Sequence, residues 1–259
     1  MGEIVTVVGV SMVRDEADIV AATVGQMCSQ VDHVIVADNM STDDTRRILE
    51  SLPVTIVDDD EPGYYQADKM TRLAHMARTQ FGASWVVPFD ADEWWYCPQG
   101  RIADVLESNP AWPVIEAELH DHVPTALDPV GGGPVETIQW CRRQPVPLPK
   151  VACQTGEDLL IWQGNHGATY SAPHTQLAGV LQVRHFPYRS PEQFARKAIN
   201  GAAAYAATDL PDNMGQHWRE YGRIAEQSGP EALHDVFRRW FWSADPKADG
   251  LWHDPVTAL

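Results

Sequence analysis

The chain has 259 residues, 44% hydrophobic and 21% charged, which suits one large globular domain or a domain with an appendage. Nineteen Lys and Arg stand against 36 Asp and Glu, a formal charge of −17; this argues against a nucleic-acid partner and means that a small polyanion would need a local positive site or a metal ion. The four cysteines, Cys28, Cys97, Cys141 and Cys153, show no C-x-x-C pairing, so neither a zinc knuckle nor a dense disulfide framework is expected, a reduced cytoplasmic protein is, and no apolar run approaches the length of a membrane span.

The run "IVTVVGV", residues 4 to 10, reads as a first strand. The opening "MGEIVT" formally fits an N-myristoylation pattern, a short match outweighed by the buried character of the residues after it. "DEADIVAATVGQMCSQ" then places Ile19, Ala22, Val24 and Met27 at helical spacing behind acidic residues that suit a helix N-terminus. "HVIVA" at 33 to 37 is a second strand, and "STDDTRRILESL" a helix with Ser41 or Thr42 as its cap and acids in its first turn. "VTIV" at 54 to 57 is a third strand. Met70, Leu73, Ala74 and Ala77 form the apolar side of the next helix, and "SWVVPF", 84 to 89, is a buried fourth strand. Pro88 removes a ladder donor there and calls for a bulge or an unpaired edge.

Strands alternating with helices argue for a parallel α/β sheet, whose ligands sit beyond the carboxyl ends of the strands. Those ends are "SMVRDE", "DNMSTDD", "DDDEPGYYQ" and "DADEWW". Residues 123 to 150 are rich in Pro and Gly and read as a loop or lid. Strand-like "LLIW" and "LAGVLQVRHFPYRS" come next, then a mainly helical tail from residue 191.

In an extended backbone Asp90 and Asp92 point to the same side, making a hard-oxygen site suited to Mg2+ or Mn2+. Such an ion carries the positive charge that binding a polyanion requires here. The plain alternative is a solvated acidic turn, the commoner fate of a D-x-D.

Taken in order, "VGVSMVRDEADIV", "VIVADNMSTDDTRRIL", "YYQADKMTRLAHMA" and "WVVPFDADEWW" resemble the nucleotide-sugar domain of GT-A glycosyltransferases, especially a bacterial group similar to family 2. "GNHGATY" and "HFPYRSPEQFARKAING" resemble that group's second half. The resemblance implies a GT-A, Rossmann-like, mostly parallel sheet flanked by helices, with residues 1–190 as the nucleotide-sugar and acceptor domain and 191–259 as a helical extension packed on it. It implies that Val10, Ser11, Arg14 and Asp38 line the nucleotide, although Ala37, Asn39 and Met40 depart from the commoner "VDDGSTDGT". Lys69 and Arg72 would grip the diphosphate, Arg72 the better for its bidentate fork; on the residues alone they are a solvated helix face. His185 would complete the metal coordination begun by Asp90 and Asp92, with Arg189 and Lys197 as further phosphate contacts.

The implied reaction is metal-dependent transfer of a sugar from a nucleotide diphosphate, UDP foremost and then GDP or dTDP, to an unknown acceptor, with inversion. An inverting enzyme needs a base beside the acceptor hydroxyl. The candidates are Asp121, His122, Glu157, Asp158 and His166, with Asp158 first because "GED" falls where family 2 enzymes carry an E-D pair. Trp94 and Trp95 adjoin the metal motif and are the tryptophans to keep for sugar stacking. A haloacid-dehalogenase-type phosphohydrolase also uses D-x-D after a strand, but after its first one, and a non-catalytic nucleotide-sugar-binding module is the third reading.

Overall fold

The protein is described by a computed structural model over residues 5–256. The start of the first strand-like run, the myristoylation-like opening "MGEI" and the last three residues lie outside the described residues. The chain forms two compact units.

The first unit, residues 1–60, 66–120 and 145–185, is built on an eight-stranded sheet. Its elements begin with β1 (Val7–Val13), α1 (Val20–Gln30), β2 (His33–Asp38), α2 (Thr45–Leu49), β3 (Thr55–Asp58), α3 (Gln66–Phe81), β4 (Trp85–Pro88) and β5 (Glu93–Tyr96). Then come α4 (Ile102–Glu107) and β6 (Val114–Asp121), whose last residue belongs to the second unit. The strand order is completed by β8 and β11 below, and the first half of the sheet, β3-β2-β1-β4, is parallel throughout. This is the predicted α/β arrangement, reached by crossover helices.

β1 shows how the sequence divides the core. Val7 and Val13 face one buried cluster, with Val20, Val24 and Met27 of α1, while Val8 and Val10 face the other, with Met70, Leu73, Ala74 and Ala77 of α3. The period of two sends alternate side chains to the two helical layers. Gly9 lets α1 approach, because a Cβ there would lie 2.9 Å from the Met27 side chain.

Pro88 needs no bulge. Phe89 N–H donates to Val10 O at 3.0 Å, so the nitrogen of Pro88 faces the other side of the strand, where pairing has ended at Val86. Two helix starts differ from expectation. Neither α1 nor α2 has an acid in its first turn, and Ser41 and Thr42 do not cap α2, because they bind the loop after β1 instead. The Asp43 carboxylate takes the Thr45 N–H at 2.9 Å.

The Pro- and Gly-rich stretch holds only the short α5 (Pro134–Thr137) and β7 (Trp140–Cys141) before β8 (Lys150–Gln154) begins. β8 runs antiparallel to both β4 and β6. β9 (Leu160–Ile161), a 3-10 turn at Gln163–Asn165, β10 (Ala168–Thr169) and β11 (Gln176–His185) complete the first unit, with β11 antiparallel to β5.

The second unit comprises residues 61–65, 121–144 and 186–259. Besides α5 and β7 it holds α6 (Pro191–Ala206), α7 (Gln216–Ser228) and α8 (Ala232–Trp240), followed by β12 (Trp252–His253). Ser190 caps α6 through the Gln193 N–H, with Pro191 in the first turn. Phe194, Ala198, Leu233 and Phe237 are its buried centre, joined by the partly buried Tyr188, Trp218 and Tyr221. No helix among the described residues is long and apolar enough to cross a membrane.

Thr23 ties α1 to the turn after β4, since its buried hydroxyl donates to Ala91 O at 2.6 Å. Thr23→Val keeps the shape and strands that carbonyl, so chemical denaturation should show a loss of about 1–3 kcal/mol. Unchanged stability would mean the bond contributes nothing.

Candidate active site

Four loops meet at the carboxyl ends of the parallel strands, and polar groups fasten them. After β1, Asp15 takes a left-handed backbone conformation (φ 54°) and its carboxylate accepts from Thr42 N at 2.6 Å and Thr42 Oγ1 at 3.1 Å. Its own N–H donates to Ser41 Oγ at 3.1 Å, and Glu16 N–H donates to Thr45 Oγ1 at 2.8 Å. "VRDE" and "STDDT" are therefore one fitted pair. Val10 and Ser11 are buried beside them, and Ser11 Oγ and Arg14 Nε are buried polar atoms without a hydrogen-bond partner. Such atoms stand ready for a ligand.

Asp38, at the end of β2, accepts from Ser41 N at 3.1 Å and lies 3.7 Å from Arg46. Next to it, Asn39 Nδ2 donates to the Asp59 carboxylate at 3.0 Å, and Asp59 forms a 2.7 Å ion pair with Lys69. Lys69 is buried by this pair while Arg72 is exposed. The two cations therefore do not form the shared grip expected of them; burial has committed Lys69 to the scaffold.

The acidic motif is not extended. Glu93 N–H donates to Asp90 O at 3.1 Å, closing a β-turn over Asp90–Glu93. The expectation of two carboxylates on one face of a strand is thereby corrected. Asp90 turns to a nest of donors: Gln66 Nε2 at 2.8 Å and Asn165 Nδ2 at 3.0 Å on Oδ1, Lys150 Nζ at 2.6 Å on Oδ2. Glu93, 0% exposed, accepts from Asp90 N at 3.0 Å and Trp95 Nε1 at 2.9 Å, and pairs with Lys150 at 2.7 Å. Trp95 is thus core and unavailable to a sugar; Trp94 remains half-buried.

Lys150 was hidden at the edge of a presumed loop. It is the first residue of β8, and because β8 runs antiparallel to β4, with Val86 opposite Cys153, its side chain arrives where β4 ends. Its ammonium donates to Asp90 and to Gly164 O, the latter at 2.8 Å, and forms an ion pair with Glu93 Oε1. Burial alone would push its pKa down, but the two carboxylates more than reverse that and hold it above the ordinary lysine value. Glu93 is pushed up by burial, with Lys150 opposing.

Asp92 faces the other way. The pairing of β11 with β5 sets His185 opposite Glu93, and His185 Nε2 lies 3.6 Å from Asp92 Oδ2. That separation is wider than the roughly 3.0 Å between adjacent ligands of an octahedral ion with bonds of about 2.1 Å, so the two side chains would draw together on one hard divalent cation. Asp90 does not complete the set as expected, because the ligand atoms of Asp90, Asp92 and His185 do not all come within 4.8 Å of one another, and Asp90 is already held by Lys150. The residues that fit a metal are Asp92 and His185.

The turn "GNH" supplies the remaining wall. Asn165 holds Asp90 from a left-handed conformation (φ 57°), and its Oδ1 is buried without a donor. Gly164 (φ 77°) is required twice over, by its backbone and because a Cβ would lie 2.4 Å from the His166 ring. His166 Nδ1 sits 2.9 Å from Pro149 O, so Nδ1 carries the proton and Nε2 the lone pair. Burial, then the Lys150 ammonium, depress its pKa, with Asp90 and His185 also near enough to act on it.

Asp158 is elsewhere. Thr155 N–H donates to Ser84 O at 2.9 Å and its hydroxyl to Ala83 O at 2.6 Å, so "TGED" lies at the amino end of β4, opposite the end that carries Asp90. The exposed Asp158 carboxylate accepts from Ser171 N, which holds it below the usual carboxylate range, the reverse of what a base requires. Glu157 pairs with Arg78 at 3.4 Å. Asp121, His122, Arg189 and Lys197 belong to the second unit; Arg189 is buried there and donates to Phe186 O at 2.9 Å.

Two measurements probe this arrangement. Lys150→Met should cost on the order of 3–5 kcal/mol in denaturant titration, since it leaves a fully buried carboxylate unpaired; a small loss would show that the pair is unimportant. In an NMR titration the His166 ring should change charge below the ordinary histidine pKa of about 6.5, leaving it neutral at pH 7. A midpoint at or above that value would contradict its burial beside an ammonium.

Residues 10–107 match the family model described as Glycosyl transferase family 2. No curated protein matches the chain. Among solved structures, S. aureus TarS 1-349 in complex with UDP-GlcNAc is similar at 12% identity and a TM-score of 0.43, over 86% of this chain and 73% of that one. Mannosyl-3-phosphoglycerate synthase from Rubrobacter xylanophilus is similar at 23% identity and a TM-score of 0.35, over 51% and 44%. Glucosyl-3-phosphoglycerate synthase from Mycobacterium tuberculosis, in complex with Mn2+, UDP-glucose and phosphoglyceric acid, is similar at 20% identity and 0.33, over 44% of each chain.

Proposed function

From the premise that the chain is a glycosyltransferase similar to family 2, we propose that it moves a sugar from a nucleotide diphosphate donor, UDP foremost, to an acceptor hydroxyl in a metal-assisted, inverting reaction. The phosphohydrolase alternative falls away with that premise. The observation that carries the reading is the facing of Asp92 and His185 beside the ion-paired Asp90–Glu93–Lys150 cluster, at the sheet end where ligands of such folds bind.

Asp92 and His185 would hold the cation. A bound Mn2+ or Mg2+ supplies the positive charge that a diphosphate leaving group needs as its bond to the sugar breaks. Ser11 and Arg14, with their buried unsatisfied atoms, receive the nucleotide, and Asp38 lies at the end of the neighbouring strand. Arg72, exposed on α3, is available to the diphosphate. Lys150, buried between Asp90, Glu93 and Gly164 O, orders the cluster and is not a donor contact.

His166 replaces Asp158 as the base. Its Nδ1–H is anchored on Pro149 O, its Nε2 lone pair is available, and burial keeps it neutral, so it can take the acceptor hydroxyl proton as oxygen attacks the anomeric carbon. Calorimetry with UDP should give binding in Mn2+ that is lost in chelator and in Asp92→Ala; equal affinity with and without metal would overturn metal dependence. His166→Asn should retain metal-dependent UDP binding while turnover, followed as slow hydrolysis of the sugar nucleotide, falls by roughly 10²- to 10⁴-fold. Undiminished turnover would remove His166 from the base role, and binding with no turnover in the unaltered protein would favour a non-catalytic module.

A further inference from the structure

In the second unit a set of donors of different chemistry converges. β7 and β12 pair antiparallel, with Trp252 opposite Cys141 and His253 opposite Trp140. On the other side of β7, His122 bridges to Cys141, Val123 N–H donates to Trp140 O at 2.7 Å, and Arg142 N–H donates to Asp121 O at 2.9 Å. Asp254 follows β12 and its N–H donates to Gln139 O at 2.8 Å. Three segments distant in sequence thus bring His122, Cys141 and Asp254 together, with one ligand atom of each inside 4.8 Å of the others. Among the described residues no other three His, Cys, Asp or Glu do this.

The tautomer of His122 is informative. Its Nδ1 lies 3.0 Å from Ile138 O, an atom that only accepts, so Nδ1 carries a proton. The side chain is 0% exposed, and Nε2 is buried with no hydrogen-bond partner. It faces Asp254 Oδ2 at 3.3 Å. With Nδ1–H given to the carbonyl, Nε2 and the carboxylate oxygen attract only if positive charge stands between them, which a proton on Nε2 or a metal ion supplies. Two bonds of about 2.0–2.1 Å at a tetrahedral angle separate N and O by close to that distance. A histidine that ligates through one nitrogen and donates its other N–H to a backbone carbonyl is the usual supporting arrangement of a metal ligand.

We propose that His122, Cys141 and Asp254 bind a divalent transition-metal ion of the zinc class, with a fourth position open to water at the partly exposed Asp254. The thiol selects against Mg2+ and Ca2+, which take oxygen ligands, so this site is distinct in chemistry from Asp92 and His185. Cys141 gives its proton to solvent as the metal–sulfur bond forms. A Cys-His-Asp catalytic relay does not fit, because a relay needs the two ring nitrogens to face thiol and acid separately, and Nδ1 is taken by Ile138.

The test uses the full chain, stripped with chelator and titrated with Co2+ alone and with Zn2+ against a competing chelator. The unaltered protein and Asp92→Ala should both show the near-ultraviolet thiolate-to-cobalt absorption, and Cys141→Ser should lose it. Asp254→Asn, a change at a partly exposed position, should weaken Zn2+ binding by more than about tenfold while unfolding remains cooperative, and it decides the matter if Cys141→Ser fails to fold. No thiolate absorption in the unaltered protein, its survival in Cys141→Ser, or unchanged Zn2+ affinity in Asp254→Asn would each overturn the site and leave His122 and Asp254 as a plain ion pair.

Discussion

One ammonium group organises the first unit. Lys150 is 3% exposed and stands between Asp90 and Glu93, two carboxylates that could not share that volume ionised without it. Burying a charge is costly unless it is paired and hydrogen-bonded, and here the ammonium has two carboxylates and the Gly164 carbonyl around it. The β-turn after β4, the start of β8 and the Gly164–His166 turn are joined through that one atom. Asp92 is presented to His185 because its neighbours on both sides are held.

The loops around this centre are ordered by polar bonds rather than by apolar packing. Asp15, Met40 and Asn165 all adopt left-handed backbone, a conformation that non-glycine residues keep only where the surroundings over-determine it. Asp15 receives Thr42, Asn165 holds Asp90, and Met40 lies between Asn39, bonded to Asp59, and Ser41, bonded to Asp38. A rigid rim of this kind fixes where a ligand's charge can sit before the ligand arrives. It also consumes groups that look available from the sequence, as the loss of Lys69 to Asp59 illustrates.

The two proposed cation sites differ in their ligand chemistry. Asp92 and His185 offer a carboxylate and an imidazole to a cation that would complete its shell with phosphate oxygens, whereas His122, Cys141 and Asp254 include a thiol and one more protein ligand. Hard and borderline ions would therefore have different addresses in one chain. An overall charge of −17 favours cations near both.

The amino-acid sequence by itself determined the parallel half of the sheet, because short strands rich in β-branched residues and amphipathic helices have local signatures, and "IVTVVGV", "HVIVA", "VTIV" and "SWVVPF" carry those of strands. It also determined that acids gather at the carboxyl ends, and the tail from residue 191 was legible as helix from its periodicity. What only the tertiary structure decided is who meets whom. Lys150 looked like the end of a proline-rich loop, and nothing local says that an antiparallel β8 delivers it to Asp90. Asp158 sat in a suggestive "GED" yet lies at the wrong end of β4, for strand direction is a long-range property. The turn at Asp90–Glu93 separated two carboxylates that an extended backbone would have aligned, and His122, Cys141 and Asp254 showed no spacing rule at all. Local sequence dictates backbone conformation over a few residues; charge pairing and coordination depend on register between segments far apart in the chain, and that is settled only when the core closes.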